Sequence, residues 1–127
     1  MTRHLRIRRE SDQHLGRITN DRAGSGNLIS IEIARAMAQA IKAFSMDDDI
    51  KVIVIEGAGE DLTCGFDPAE LETLFRDAPG GRARKVPSQR ARLLALSELW
   101  WGPDGLYMRL LRCPKVTVLA AQGACSE

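Results

Sequence analysis

Histidine is scarce in this 127-residue chain: only His4 and His14 occur, both in the first strand-like stretch, so a Ser-His-Asp or Cys-His site would have to draw its base from there. Cysteine is limited to Cys64, Cys113 and Cys125. An odd count without CxxC spacing argues against a disulfide framework and a zinc site, and for a reducing compartment, the cytoplasm. Aromatic residues make up 5% and the formal net charge is +1, so neither nucleic acid nor a membrane surface is expected as a partner. No apolar run approaches the roughly 20 residues that span a bilayer. The basic start, "MTRHLRIRRE", is not followed by the apolar region of a secretory signal. The G-x-x-x-x-G-K-[ST] phosphate loop is absent, and "EGAGED" follows a strand pattern but lacks the third glycine of a dinucleotide fingerprint.

What is present describes a globular domain, 44% apolar and 28% charged, long enough for one core. "HLRIRRE" alternates, with Leu5 and Ile7 on one face, and "HLGRIT" returns after the turn-forming "SDQ". After the loop "NDRAGSGN", Ser30 is placed to cap a helix whose apolar stripe is Ile33, Met37, Ile41 and Phe44. "IKVIVIEG" is apolar at consecutive positions and β-branched, the pattern of a strand covered on both faces. Asp67, Pro68 and Glu70 form a helix start in which Glu70 is expected to reach back to the cap. A short helix with Leu71, Leu74 and Phe75 is predicted next, then the basic loop "RDAPGGRARKVPSQR". Ser88 is placed to cap "QRARLLALSELWW", and Asp104 to start "GLYMRLLRC". "KVTVLAAQG" reads as a last buried strand. The order of hairpin, helix, strand, helices and strand is α/β organisation with at least one crossover. A buried parallel strand normally leads into a covering helix, so the short remainder after "VTVLAA" leaves three readings: the sheet is uncovered on that side, a partner covers it, or, the favoured one, this is the front part of a longer protein.

The stretch "TCGFDPAE" after the buried strand carries the chemistry, and several readings stand side by side. Gly65 permits positive φ and close approach of a ligand. The N–H groups near Phe66, ahead of the helix opening at Asp67, are placed to meet an oxyanion, although Asp67 as cap satisfies part of that end. Cys64 lies before a helix N-terminus, which favours a thiolate nucleophile, yet no histidine is near it in sequence. A plain strand-to-helix turn explains the same residues without any chemistry.

Three ordered segments resemble the N-terminal part of the enoyl-CoA hydratase/isomerase, or crotonase, superfamily. "GRITNDRAGSGNLISIEI" is similar to that family's strand, Asn-Arg-Pro turn and Asn-Ala-Leu-Ser helix entry, through Asn20-Asp21-Arg22 and Asn27-Leu28-Ile29-Ser30. "DDDIKVIVIEGAGEDLTCGFDPAEL" is similar to its strand, Gly-x-Gly turn and Phe-x-x-Gly-x-Asp-Leu loop, and "LLRCPKVTVLAAQGAC" to its Lys-Pro strand ending in Asn-Gly. The resemblance covers most of residues 15 to 125, with residues 76 to 105 unmatched. It implies stacked ββα turns, here as residues 1–127 of a single domain incomplete at its C-terminus. It also implies an acyl-CoA thioester as substrate, no cofactor beyond the coenzyme A that the substrate carries, and a homo-trimer or hexamer at full length. The thioester oxygen is held between two backbone N–H groups, a device that is often the largest catalytic contribution. The first of them falls on Phe66, and Leu28, Cys64, Gly65 and Asp67 are the implied substrate-binding positions. Val116, Gln122 and Leu62 stand where proline, asparagine and phenylalanine are common. If Gln122-Gly123 matches the Asn-Gly pair, the second donor glycine and the hydratase's two glutamates fall beyond Glu127.

Within the unmatched stretch, Glu98 and Asp104 are candidate acids. A carboxyl group among Trp100, Trp101 and Tyr107 would have a raised pKa suited to proton transfer, while a solvated Glu98 and a helix-capping Asp104 is the plainer reading. Arg82, Arg84, Lys85, Arg90 and Arg92 are candidates for coenzyme A phosphates, or form a solvated loop. Two functions compete with the enzyme: a non-catalytic acyl-CoA-binding or subunit-interaction module, and single-stranded RNA binding through the basic loop and its neighbouring aromatics.

Overall fold

The alternating hairpin, the single amphipathic helix and the β-branched run assemble into one sheet. The structure, a computed structural model, describes residues 3–70 and 89–125. β1 (Leu5–Glu10) and β2 (Leu15–Asn20) form the antiparallel hairpin, turned by Ser11–Gln13 and by His14 in the left-handed region. α1 (Ile31–Ser45) then carries the chain to β3 (Val52–Gly57), which pairs parallel to β2. α2 (Gln89–Trp101) and α3 (Leu106–Leu111) precede β4 (Val116–Ala120), parallel to β3, so the strand order is β1-β2-β3-β4. Among the described residues no helix is long and apolar enough to cross a membrane.

α1 forms where the cap and stripe indicate. The Ser30 hydroxyl accepts from the Ile33 N–H at 3.1 Å, and Ile33, Met37, Ile41 and Phe44 are all buried. This stripe packs on Leu5, Ile18, Ile53 and Ile55, the inward residues of β1 to β3, and Leu106 of α3 joins them.

Two expectations about the sheet are corrected. β3 is covered on one face only: Ile53 and Ile55 are buried under α1, whereas Val52, Val54 and Glu56 are half-buried on the other. β4 forms as a strand, but every residue in it is exposed, including Val116, Val118 and Leu119. The physical reason is position, because β4 is the sheet's edge, and Thr117 and Leu119 stay exposed although they pair with Ile53 and Ile55 on the face that α1 covers. Toward β1 the face away from α1 is polar, with Arg17 bridging Glu10 and Glu56 and the Thr19 hydroxyl donating to Glu56. Glu10 first, then Glu56, hold the Arg17 guanidinium above its ordinary pKa.

The other end of the sheet is fixed by backbone acceptors. Lys115 donates to the carbonyls of Asp47 and Ile50, tying the entry of β4 to that of β3. Arg9 pairs with Asp47 and Asp49 across the same end.

The cap of α3 differs from expectation. Asp104 does not cap α3: Gly105 holds that position, and the Asp104 carboxylate pairs with Arg109. Leu71, Leu74, Phe75 and Ser88 lie outside the described residues, as do Arg82, Arg84, Lys85 and the side chains of Arg90 and Arg92.

Candidate functional site

Two loops at the carboxyl ends of β2 and β3 run side by side, and one buried side chain joins them. Asn27, fully buried and at φ 52°, accepts from the Arg22 N–H through Oδ1 and donates through Nδ2 to the carbonyls of Ala58 and Asp61, each at 2.7 to 2.8 Å. Its own carbonyl accepts from Asn20 Nδ2 and from the Thr63 hydroxyl. Asparagine suits this place because its short amide satisfies local backbone and tolerates the left-handed region.

The two stretches are then stitched by backbone bonds. Cys64 N–H donates to the Gly26 carbonyl, Ile29 N–H to the Gly65 carbonyl, and Asp67 N–H to the Ile29 carbonyl, at 2.9 to 3.0 Å. Leu28, Cys64, Gly65 and Asp67, the implied substrate-binding positions, are thus brought onto one pair of adjoining loops. This pairing is that of a parallel bridge between Ile29 and Phe66. In such a bridge the residue between the two bonded groups turns its own N–H and C=O away from the partner. That residue is Phe66, whose N–H has no acceptor among the described residues. Gly65 makes the turn possible at φ 105°, where a side chain is strained, and its own N–H is taken by the Thr63 hydroxyl.

Gly65 and Phe66 line a half-open, largely apolar cavity of about 730 Å³. Its size falls within the range of small-molecule sites. Trp100, Trp101 and Tyr107 line it as well, with Leu62 and Leu119 among its aliphatic wall. The Phe66 and Trp100 rings meet edge to face at 5.2 Å, Trp100 stacks on Tyr107 at 5.0 Å, and Trp101 tilts against Tyr107 at 4.9 Å. Asn20 and Glu56 are polar members of the lining. Asn20 is 3% exposed and its Oδ1 has no hydrogen-bond partner among the described residues, an acceptor that costs about 1–3 kcal/mol when left unmade. The Glu56 carboxylate is engaged by Arg17 at 3.0 Å and Thr19 at 2.9 Å.

Glu98 and Asp104, expected beside the rings, line a different cavity of about 470 Å³ with Arg35, Lys42 and Arg109. Helix geometry gives the reason for Glu98. Residues two apart on a helix point about 200° from one another, so Trp100 facing the apolar cavity turns Glu98 away from it. The Asp104 carboxylate is drawn off by Arg109.

Asp67 and Glu70 brace the loop. Asp67 Oδ1 accepts from the Ala69 N–H, the expected cap, and Oδ2 takes Arg22 at 2.8 Å. Glu70 does not reach back, because the Asp67 N–H is already bonded to Ile29; its carboxylate instead accepts from the Ile31 N–H at 2.7 Å, capping α1. Arg22 is the chief cause holding the Asp67 carboxyl below the usual carboxylate range, with the Ala69 and Glu70 N–H groups adding to it against the effect of burial. A lowered folded pKa gives stability that is present above the unfolded value of about 4 and is lost as pH falls through the folded one. Asp67→Asn keeps a capping oxygen and removes the charge. It should cost about 1–3 kcal/mol at pH 7, with the two proteins converging in urea stability below about pH 4. A gap that persists unchanged at pH 2 would assign the loss to something other than this charge.

Cys64 is exposed, with Sγ near Gly26, and the described contacts place no histidine against it. His14 is occupied elsewhere, bonded to the Asp49 carbonyl. Sequence reasoning missed the bridging role of Asn27, which only its place in the Asn-Leu-Ile-Ser match had marked. It also missed the approach of the segment after β4: Leu62 and Thr63 donate to the carbonyls of Gln122 and Ala124, and Cys125 reaches the apolar cavity. Among the described residues no group of three His, Cys, Asp or Glu side chains gathers to hold a metal ion.

No protein-family model matches the chain. Among curated proteins it is 31% identical over 107 residues to enoyl-CoA hydratase AKT6-1 of Alternaria alternata, covering 84% of this chain and 29% of that protein. It is 23% identical over 119 residues to the peroxisomal Delta(3,5)-Delta(2,4)-dienoyl-CoA isomerase of Arabidopsis thaliana, covering 94% of this chain and 41% of that one. Its fold matches an enoyl-CoA hydratase/isomerase from Mycobacterium paratuberculosis with a TM-score of 0.71 at 21% identity, over 97% of this chain and 43% of the other. An enoyl-CoA hydratase/carnithine racemase from Magnetospirillum magneticum also gives 0.71, at 22% identity and with 97% and 40% covered. The chain thus spans less than half the length of the relatives it matches. In sequence it resembles part of these enoyl-CoA hydratase and dienoyl-CoA isomerase relatives, and its fold matches part of the crotonase fold of the solved enoyl-CoA hydratase/isomerase structures.

Proposed function

We propose that this chain is the N-terminal part of a crotonase-like domain and holds the thioester carbonyl of an acyl-CoA at the Phe66 N–H. The observation that carries the reading is the Phe66 N–H, which has no acceptor among the described residues, is fixed by bonds on either side and belongs to a residue in the wall of an apolar cavity. A donor aimed in advance at an oxygen where charge develops needs no reorganisation during reaction, which suits enolate stabilisation. The cavity takes the acyl chain, with Gly65 in its wall, and Leu28, Cys64 and Asp67 on the adjoining loops are the further substrate-binding positions of this reading. Coenzyme A comes with the substrate, and no other cofactor is invoked. Trimeric or hexameric assembly, which the family resemblance implies for the whole protein, belongs to the same proposal. So does a cytoplasmic setting, which the three free thiols support.

The second reading, an acyl-CoA-binding module without turnover, is favoured by one observation. Glu98 and Asp104 open on the other cavity, and Glu56, which lines the apolar one, is held by Arg17 and Thr19. Calorimetric titration of the 127-residue chain with crotonyl-CoA and with free coenzyme A tests both readings, combined with a hydration assay. Tighter binding of the thioester supports the carbonyl site, and equal binding refutes it. Turnover favours the enzyme, and binding without turnover favours the module.

A further inference from the structure

Four aromatic rings meet at the apolar cavity of a chain in which aromatic residues are only 5% of the total. Phe66 presents its ring beside the very N–H assigned to the thioester oxygen, and Trp100 meets that ring edge-on at 68°. Tyr107 lies nearly parallel to Trp100, at 25°, and Trp101 leans on Tyr107 from the open side with 61% of its surface exposed. The rings therefore form a connected series of edge-to-face, stacked and tilted contacts running from Phe66 to Trp101, and much of the remaining wall is aliphatic, with Asn20 and Glu56 as polar members. Resting on the thioester reading, the geometry points to an aryl acyl group as the preferred cargo, one whose ring joins this series.

Ring and bulk contribute separately to such binding. A saturated acyl group of the same size buries the same apolar area and gains the same transfer free energy. An aryl group adds edge-to-face or offset contacts with Phe66, Trp100 or Trp101. One or two such contacts, beyond area, amount to roughly a tenfold preference. A short alkenyl group buries apolar area but offers no ring to this series.

The test is a titration of the 127-residue chain with benzoyl-CoA, cyclohexanecarbonyl-CoA, crotonyl-CoA and free coenzyme A. Benzoyl-CoA is expected to bind about tenfold tighter than cyclohexanecarbonyl-CoA. Trp101→Leu, an exposed change that leaves the core alone, should reduce that ratio, and Trp100→Leu should reduce it further. Equal affinity of the benzoyl and cyclohexyl thioesters overturns the aryl preference while leaving the thioester site standing. Thioesters that bind no better than coenzyme A overturn the thioester reading and this inference with it. A ratio unchanged in both tryptophan variants would also overturn the assignment to these rings.

Discussion

Asn27→Leu is expected to lower unfolding free energy by on the order of 4 kcal/mol, read as a shifted urea midpoint with an unchanged slope. Leucine is close to asparagine in size but strips partners from three backbone groups: Arg22 N–H, Ala58 C=O and Asp61 C=O. Each buried group left unpaired costs about 1–3 kcal/mol, and leucine is further disfavoured at φ 52°. The damage should reach the site, since Asn27 is the joint that aligns Gly26–Ile29 with Cys64–Asp67. Thioester affinity should fall even under conditions where the variant is fully folded. A loss below about 1 kcal/mol would mean that water or a shifted loop replaces these bonds.

Gly57→Ala is the second large effect, and its cause is steric. A Cβ on Gly57 would overlap the carbonyl oxygens of Asp61 and Leu62, the latter at 2.6 Å, and stand 2.8 Å from Asn27 Nδ2. These are backbone atoms and a pinned amide, so no flexible side chain is available to yield. Loop 58–62 would have to move, and Leu62 is part of the cavity wall. A cost of about 3 kcal/mol is expected, at the upper end for overpacking. Thermal unfolding followed by circular dichroism measures it, and a variant as stable as the parent would show that the loop has room to move.

Much of the scaffold was legible in the sequence because the signals were local. Ser30 and the Ile33–Met37–Ile41–Phe44 stripe need only helical periodicity and an oxygen at the cap, and the hairpin follows from alternation around "SDQ". The bare β4 was not legible. A run of valine and leucine shows that a strand is apolar, and it does not show what covers it. Glu70 illustrates a similar limit: its sequence spacing fits a cap on its own helix, and only tertiary structure brings Ile31 within reach. For α2 the apolar residues 93, 94, 96, 99, 100 and 101 surround much of the helix, so no single stripe selects the inward face. That ambiguity placed Glu98 among the rings, and the fold turns it away. The local geometry of the loop after β3 was legible too, because the glycine at Gly65 and the cap at Asp67 each have a specific backbone requirement that the structure displays.

The central claim is that the Phe66 N–H binds a thioester oxygen. Amide NMR of ¹⁵N-labelled protein tests it most directly, by titration with crotonyl-CoA in parallel with free coenzyme A. The Phe66 amide proton is expected to move downfield with the thioester and to stay in place with coenzyme A alone. A Phe66 resonance that is unmoved by saturating thioester, or that moves equally with both ligands, would contradict it.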